Sequence, residues 1–313
     1  MIEIYKSLDN RLSKINEKNN DEKNSWVYIV SPTAEEIEII TNKYNIPRDF
    51  IEDPLDIDES PRIERENDST LIIIQTPYYD DEDEYIKFKT IPLGIILTGD
   101  YLLTVSSKDD DVLQNFFKGR VKNFSTHKRN RLILQILSRT ATVYLNYLKR
   151  INRNTNVIEY RMEKSMKNDE IMDLLDLQKS LVHFSTSLRS NEAVMDRLYR
   201  SGLLSKFEED KDYLEDLIVE NKQALEMTNI HTNILKSTMD AFASMISNNL
   251  NTVMKFLTSV TIILMIPTLI ASIYGMNIKL PFAKSPYAFS ITIGASIALS
   301  LIGVFIFIKR RWF

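Results

Sequence analysis

Two uncharged stretches near the end of the chain decide its fold. The first is FLTSVTIILMIPTLIASIYGMNI, residues 256–278, and the second is PYAFSITIGASIALSLIGVFIFI, residues 286–308. A helix needs roughly 20 apolar residues to cross a hydrocarbon core of about 30 Å. Each stretch meets this requirement, and only residues 279–285 separate them. We therefore expect two transmembrane helices joined by a short outer loop.

The chain ends in the basic tail KRRWF, residues 309–313. Lys and Arg are enriched on the cytoplasmic side of membrane spans, and Trp is enriched at the membrane interface. The tail is therefore predicted to be cytoplasmic. Because the chain crosses the membrane twice, the large N-terminal part is predicted to lie on the same side. The charged N-terminus shows no apolar region typical of a signal peptide. These features predict a multi-pass protein of the plasma (inner) membrane with both termini in the cytoplasm.

Composition excludes several classes of function. The formal net charge is −4, which does not favour nucleic-acid binding. The chain contains no cysteine, so disulfides, thiolate metal sites and a cysteine nucleophile are excluded. The three histidines, His127, His183 and His231, lie far apart in the sequence, and no glycine-rich phosphate loop is present. The sequence therefore does not support an enzyme.

Residues 1–125 are predicted to form an α/β domain. Short apolar runs bounded by polar residues favour strands, and Thr33 followed by Glu36 is typical of a helix-capping box. The predicted elements are strands Trp26–Val30, 71–75, 93–97 and 101–105, and helix Ala34–Tyr44. The acidic run at residues 80–84 is interpreted as a solvated hairpin loop. A cation site at this run is the less favoured alternative.

No proline occurs between Pro92 and Pro267, and glycine is rare over the same range. Because the two strongest helix breakers are nearly absent, long helices are favoured. We expect a helical hairpin over residues 126–205, with a polar turn at residues 168–170. A long stalk helix over residues 206–255 would then continue into the first transmembrane helix. A helix of this length favours an oligomer or a helical stalk.

The first predicted span carries a polar stripe. Side chains spaced by three and four residues lie on one face of a helix. This stripe consists of Asn251, Met254, Thr258, Thr261, Met265, Thr268 and Ser272, and Leu257 lies beside it. A ring of such helices would line a pore, in which the hydroxyls bind a hydrated ion and Met254, Leu257 and Met265 form apolar constrictions. The alternative is that the Ser and Thr residues hold helices together.

The residues that follow resemble a known family. Tyr274, Gly275, Met276 and Asn277 resemble the YGMN motif of the CorA-type magnesium and divalent metal ion transporters. The motif stands at the outer end of the first of two spans, as in that family. The stretch from residue 251 to 274 also resembles the family's first span. Residues 52–56 and 60–63 are similar to its soluble domain, so the resemblance covers essentially the whole chain.

This resemblance implies a funnel-shaped homopentamer embedded in the lipid bilayer, with its five first spans lining the pore. The motif would form the selectivity filter, in which Asn277 offers amide oxygens to hydrated Mg²⁺. Asn251 would form a second polar ring. Members of the family also bind regulatory Mg²⁺ between cytosolic domains. By position, Asp216 matches one of those ligands, and Asp212 and Glu220 lie one turn away on either side.

The outer loop departs from the family pattern. Residues 278–285, IKLPFAKS, contain Lys279 and Lys284 but lack the usual acidic residue. In a pentamer these lysines would repel cations at low ionic strength. Co²⁺, Ni²⁺ and Zn²⁺ therefore stay open as alternatives to Mg²⁺, and so does a membrane-anchored divalent-sensing scaffold that conducts nothing. The preferred ion, the state of the gate, the second partner of the regulatory site and coupling to another gradient are not determined by the sequence.

Overall fold

The computed structural model describes residues 1–8, 11–15, 23–164, 168–204, 207–277 and 286–310. The chain divides into two compact units, Met1–Ser237 and Thr238–Phe313. The first unit contains a β-sheet and most of the helices. The second consists of the C-terminal part of one long helix and a further apolar helix.

The first unit is built on a mixed sheet with seven strands in the described residues, in the order β2-β1-β3-β7-β6-β5-β4. Strands β3 and β7 are parallel, and the other neighbouring pairs are antiparallel. The four strands expected from the sequence are confirmed as β3, β5, β6 and β7. The strand bounds are β1 Ile2–Leu8, β2 Arg11–Ile15, β3 Trp26–Val30, β4 Arg62–Glu66, β5 Ser69–Tyr79, β6 Phe88–Thr98 and β7 Tyr101–Ser106.

The helices follow the sequence pattern closely. Thr33 and Glu36 form the expected capping box, with the Glu36 amide donating to Thr33 Oγ1 at 3.3 Å and the Thr33 amide donating to Glu36 Oε2 at 2.9 Å. The turn expected at residues 168–170 is wrong, because a helix begins at Asn168 and places Asp169 and Glu170 in its favourable first turn. The helix bounds are α1 Ala34–Tyr44, α2 Asp49–Glu52, α3 Asp111–Phe117, α4 Arg129–Lys164, α5 Asn168–Ser201, α6 Glu208–Tyr274 and α7 Ala288–Lys309.

Buried polar side chains of α4 and α5 bond to the backbone of the sheet. Opposite Gln75 of β5 stands Pro92 of β6, which has no N–H to donate. Asn191 instead accepts from the Gln75 amide at 2.8 Å and donates to the Gln75 carbonyl at 2.7 Å. The Tyr144 hydroxyl donates to the same carbonyl at 3.0 Å. These bonds satisfy a buried peptide group and fix both helices on the sheet.

Substitution of Gly94 by alanine is expected to destabilise the first unit. A Cβ at this position of β6 would lie 2.3 Å from Pro54 Cγ and 2.9 Å from Pro54 Cβ, and the proline ring cannot move away without its backbone. Such overpacking costs typically about 1–3 kcal/mol. Thermal unfolding in detergent micelles measures the effect. Gly294→Ala is the control, since no atom lies within 4 Å of a Cβ there, and equal stability of the two variants would contradict the prediction.

The second unit exposes an unusual amount of apolar surface. Helices α6 and α7 each contain a segment long and apolar enough to cross a membrane, and only 6% of each segment is buried. Large side chains such as Leu264, Phe289 and Phe305 are more than half exposed. A patch of this size is unfavourable in water and is typical of a membrane or interaction surface. The two helices therefore agree with the expected pair of membrane spans.

Candidate pore and metal sites

Helix α6 carries the predicted stripe on a face that the chain itself leaves uncovered. The side chains of Asn251, Met254, Leu257, Thr258, Thr261, Met265, Thr268 and Ser272 are all exposed. A different set of residues in the same stretch is covered. Ser259 is buried, and Val260, Ile263, Ile266, Pro267 and Ile270 are partly buried.

The covered face of α6 packs against α7. A Cβ placed on Gly303 of α7 would lie 3.6 Å from Ile266 Cδ1 and 3.9 Å from Ile263 Cγ1. At 3.6 residues per turn, the face that contains these two isoleucines lies about 140° from the centre of the stripe. The polar stripe therefore points away from α7. Gly303 is not among the residues predicted from the sequence, although a small residue in a membrane helix is a known signal of close helix approach.

Two threonines of the stripe, Thr261 and Thr268, direct their hydroxyl protons to carbonyls of the helix itself. Thr261 Oγ1 donates to the Leu257 carbonyl at 2.8 Å, and Thr268 Oγ1 donates to the Leu264 carbonyl at 3.1 Å. A hydroxyl has one proton and two acceptor lone pairs. Both oxygens therefore keep acceptor capacity for a group that donates hydrogen bonds, such as the water shell of a cation.

The motif Tyr274–Asn277 lies where α6 ends. The Gly275 amide donates to the Ala271 carbonyl at 2.9 Å, the Met276 amide donates to the Ile273 carbonyl at 3.3 Å, and Asn277 is exposed beyond this last turn. Residues 278–285, which include the two loop lysines, lie outside the described residues.

Tyr274 does not lie on the polar stripe. Together with Pro267 and Gly275 it lines a cavity of about 620 Å³ between the outer parts of α6 and α7, where Phe289 and Ile293 form part of the opposite wall. Tyr274 is therefore on the side of α6 that faces α7. Of the four motif residues, Asn277 alone carries a side-chain amide, and that side chain is exposed.

The three acidic residues predicted as regulatory ligands lie on one side of α6. Asp212, Asp216 and Glu220 are spaced by four residues, and all three are exposed. Ser138 of α4 donates to Glu220 Oε2 at 3.4 Å, a contact for which the sequence contains no signal. Partial burial of the Glu220 carboxyl group raises its pKa above the ordinary value, and the negative charge of Asp216 raises it further. A cation near these carboxylates would relieve their repulsion.

One copy of the chain does not complete a metal site at this position. Among the residues that the structure describes, no group of three or more His, Cys, Asp or Glu side chains is arranged to hold a metal ion. Mg²⁺ at such a site would keep several water ligands, or it would take further ligands from a second copy.

The acidic run at residues 80–84 forms the hairpin loop between β5 and β6, as expected. Two of its five carboxylates are bound by lysines: Lys89 donates to Asp83 at 2.6 Å, and Lys89 and Lys108 each donate to Asp80 at 3.3 Å. The hydrogen bond from Lys89 and two from backbone amides lower the pKa of Asp83 to about 2. Since Asp80 and Asp83 already have cationic partners, and no metal-holding group of three acidic or histidine side chains occurs among the described residues, the alternative of a cation site there receives no support.

Comparison with known proteins places the chain among transporters. Residues 21–310 match the family model described as CorA-like Mg²⁺ transporter protein. The cobalt/magnesium transport protein CorA of Methanocaldococcus jannaschii is 28% identical over 297 residues, which cover 92% of this chain and 90% of that protein. The magnesium transport protein CorA of Helicobacter pylori is 25% identical over 299 residues, with the same two coverages.

The structural comparison agrees over the full length. The complete structure of the CorA magnesium transporter from Methanocaldococcus jannaschii matches with a TM-score of 0.86 and 26% identity, covering 100% of this chain and 99% of that one. Because the family model spans almost the whole sequence, the α/β domain, the long helices and the two apolar helices are all part of the match. The chain therefore belongs to the CorA-like Mg²⁺ transporter protein family.

Proposed function

We propose that this chain is a divalent-cation channel that carries Mg²⁺ into the cytoplasm through a pore on the axis of a homopentamer. The pore would be lined by the stripe that runs from Asn251 to Ser272 on α6, and α7 would form an outer ring in contact with lipid. The channel would lie in the plasma membrane with both termini in the cytoplasm. Cobalt is the second candidate ion, because the Methanocaldococcus jannaschii relative is named for both metals.

One observation carries this proposal: the polar stripe faces away from the only membrane helix that packs on α6 within the described residues. Polar groups facing lipid are costly. If the stripe faces the axis of the pentamer, the same polar side chains contact water instead of lipid. Thr261 and Thr268 would then offer acceptor oxygens to the water molecules around a hydrated cation, which always donate.

The exposed amide of Asn277 would form the outer filter. Mg²⁺ dehydrates reluctantly, so it is more easily selected through its water shell than by direct contact with the protein. A ring of Asn277 side chains would present carbonyl oxygens to that shell at the end of α6. Asn251, at the inner end of the stripe, would form the second polar ring.

The membrane potential would supply the driving force. A divalent ion that enters a negative cytoplasm gains about 4.6 kcal/mol per 100 mV. Influx would therefore need no second gradient. Binding of internal Mg²⁺ at Asp216, with Asp212 and Glu220 as neighbouring ligands, would close the pore when the cytoplasmic concentration rises.

Cysteine substitution tests the pore directly, because the chain contains no natural cysteine. Thr268→Cys in a reconstituted pore should react with a water-soluble, membrane-impermeant thiol reagent at least about tenfold faster than Phe305→Cys, since a thiol in apolar surroundings stays protonated. Phe305 is an apolar, exposed position on α7, which makes it the lipid-facing control. Equal rates at the two positions would contradict a pore along the stripe.

Ion uptake by proteoliposomes tests the transport itself. We expect Mg²⁺ uptake to rise as the vesicle interior is made more negative, and a comparison with Co²⁺, Ni²⁺ and Zn²⁺ at the same potential ranks the ions. Uptake no faster than in protein-free vesicles would support the alternative of a membrane-anchored, divalent-sensing scaffold.

A further inference from the structure

A small basic pocket lies in the first unit, away from the acidic side of α6. It is formed by the C-terminal end of α3, the turn that follows it and the middle of α4. Its volume is about 170 Å³. Three cations line it, Lys118, Arg120 and Arg139, together with the amides of Gln114, Asn115 and Asn146.

The two arginines share one neutral acceptor. Arg139 Nη2 donates to Asn115 Oδ1 at 2.8 Å, and Arg120 Nη1 reaches the same oxygen at 3.4 Å. Asn115 is itself buried and is held by a bond from its Nδ2 to the Asp111 carbonyl at 2.5 Å. This arrangement keeps two like charges close together around an uncharged group.

Within the part of the chain that the structure describes, the positive charge of this pocket has no ion-pair partner. No carboxylate of the described residues lies within 4 Å of the charged groups of Lys118, Arg120 or Arg139. Asp111 also lines the pocket, but its Oδ2 accepts a hydrogen bond from the Tyr147 hydroxyl. The local balance is therefore three cations against one carboxylate that is already hydrogen-bonded.

Arg139 also has an unused donor. Its Nε is buried and has no hydrogen-bond partner. Burial lowers the pKa of this guanidinium, and repulsion from Arg120 lowers it further. An anion in the pocket would relieve the repulsion between the two arginines.

We propose that this pocket binds an oxyanion of the phosphate class, either inorganic phosphate or the terminal phosphoryl group of a nucleotide. Arg139 would donate from its two Nη groups to two phosphate oxygens, which is the paired geometry that guanidinium favours. Arg120 and Lys118, exposed at the rim, contribute charge. A volume of 170 Å³ corresponds to about five or six water molecules, which suits a phosphate group and leaves any nucleoside outside.

Isothermal titration of the full-length protein in detergent micelles tests the proposal. Inorganic phosphate and ATP are titrated separately in the presence of a chelator, so that no divalent cation bridges ligand and protein. Arg139→Gln should weaken phosphate binding at least about tenfold, because it removes the charge and the paired donors together. Arg139→Lys keeps the charge without the fork and should recover part of the affinity. Arg65→Gln on β4, an exposed position outside the pocket, should leave binding unchanged.

Variants of the two exposed rim residues, Lys118 and Arg120, keep the proposal testable if Arg139→Gln does not fold. If Arg139→Gln unfolds, Lys118→Gln and Arg120→Gln remove exposed charges and should each weaken phosphate binding by about threefold, with a smaller effect at high salt. Tighter binding of ATP than of phosphate would identify the nucleotide as the source, and similar affinities would identify free phosphate. No binding of either ligand to the wild type, or equal affinity in the pocket variants and in Arg65→Gln, would overturn the proposal.

Discussion

Asn277→Ala is expected to reduce Mg²⁺ uptake by proteoliposomes at least about tenfold. Every subunit would lose one amide oxygen at the outer end of α6, and each net hydrogen bond to the water shell is worth about 1 kcal/mol. Because the loss repeats around the proposed ring, the entering ion would lose several such bonds at once. Fluorescence of a Mg²⁺-sensitive dye inside the vesicles measures the initial rate.

Two further variants make this result specific. Asn154→Ala removes an equally exposed amide from α4 in the first unit and should leave uptake unchanged. Asn277→Gln keeps the amide but displaces it by one methylene, so uptake should still fall if the position of the oxygen matters. Undiminished uptake by Asn277→Ala would remove this residue from the filter without affecting the family assignment.

Asp216→Lys is expected to weaken inhibition by internal Mg²⁺ at least about tenfold, because it replaces a proposed ligand with a cation that repels the metal. Uptake is measured in vesicles preloaded with increasing Mg²⁺, and the variant should stay active at internal concentrations that inhibit the wild type. Glu163→Lys, a charge reversal at an exposed position near the end of α4, is the control. Equal inhibition of all three proteins would argue against a regulatory site at Asp216.

The acidic site also predicts a pH dependence. The pKa of Glu220 is raised, so its carboxylate binds a proton at a higher pH than an ordinary glutamate does. A protonated carboxyl group does not hold Mg²⁺, and inhibition should therefore weaken as the internal pH falls through this raised pKa. In Glu220→Gln this part of the pH dependence should disappear.

The strands and helices with strong local patterns could be predicted from the sequence, whereas the edges of the sheet could not. The apolar run Trp26–Val30 forms an interior strand of the sheet, between β1 and β7, and is fully buried. Strand Arg62–Glu66, RIERE, is an edge strand with only one apolar residue, so nothing in its pattern indicates a strand. The order of the strands depends on long-range pairing that no local pattern encodes.

The lengths of the two central strands could not be predicted from their apolar runs. The predicted strands 71–75 and 93–97 are shorter than β5 and β6, which run through Pro77 and Pro92. At the Gln75–Pro92 pair, Asn191 of α5 bonds to Gln75, and Asn191 follows Gln75 by 116 residues in the sequence. Tertiary contacts of this kind permit proline inside a strand, and they cannot be read from the strand itself.

The candidate sites also differ in how far they could be predicted from the sequence. Residues spaced along a single helix, such as the stripe of α6, could be grouped from the sequence because helical periodicity alone places them together. The basic pocket combines residues from α3, a turn and α4, and therefore has no periodic signature. The roles assigned to Asn277 and Asp216 depend on the resemblance to the family, and they stay predictions until uptake is measured.

The hydroxyl protons of Thr261 and Thr268 point to carbonyls of their own helix, and this affects whether cations or anions would pass through the proposed pore. Both protons are donated to carbonyls of the same helix, so these two hydroxyls have no proton left to donate to an anion such as chloride or phosphate. In the proposed pore, such a wall would discriminate against anions although it bears no formal charge. A neutral wall of this kind would also hold Mg²⁺ less tightly than a ring of carboxylates, which lets the ion leave as readily as it enters.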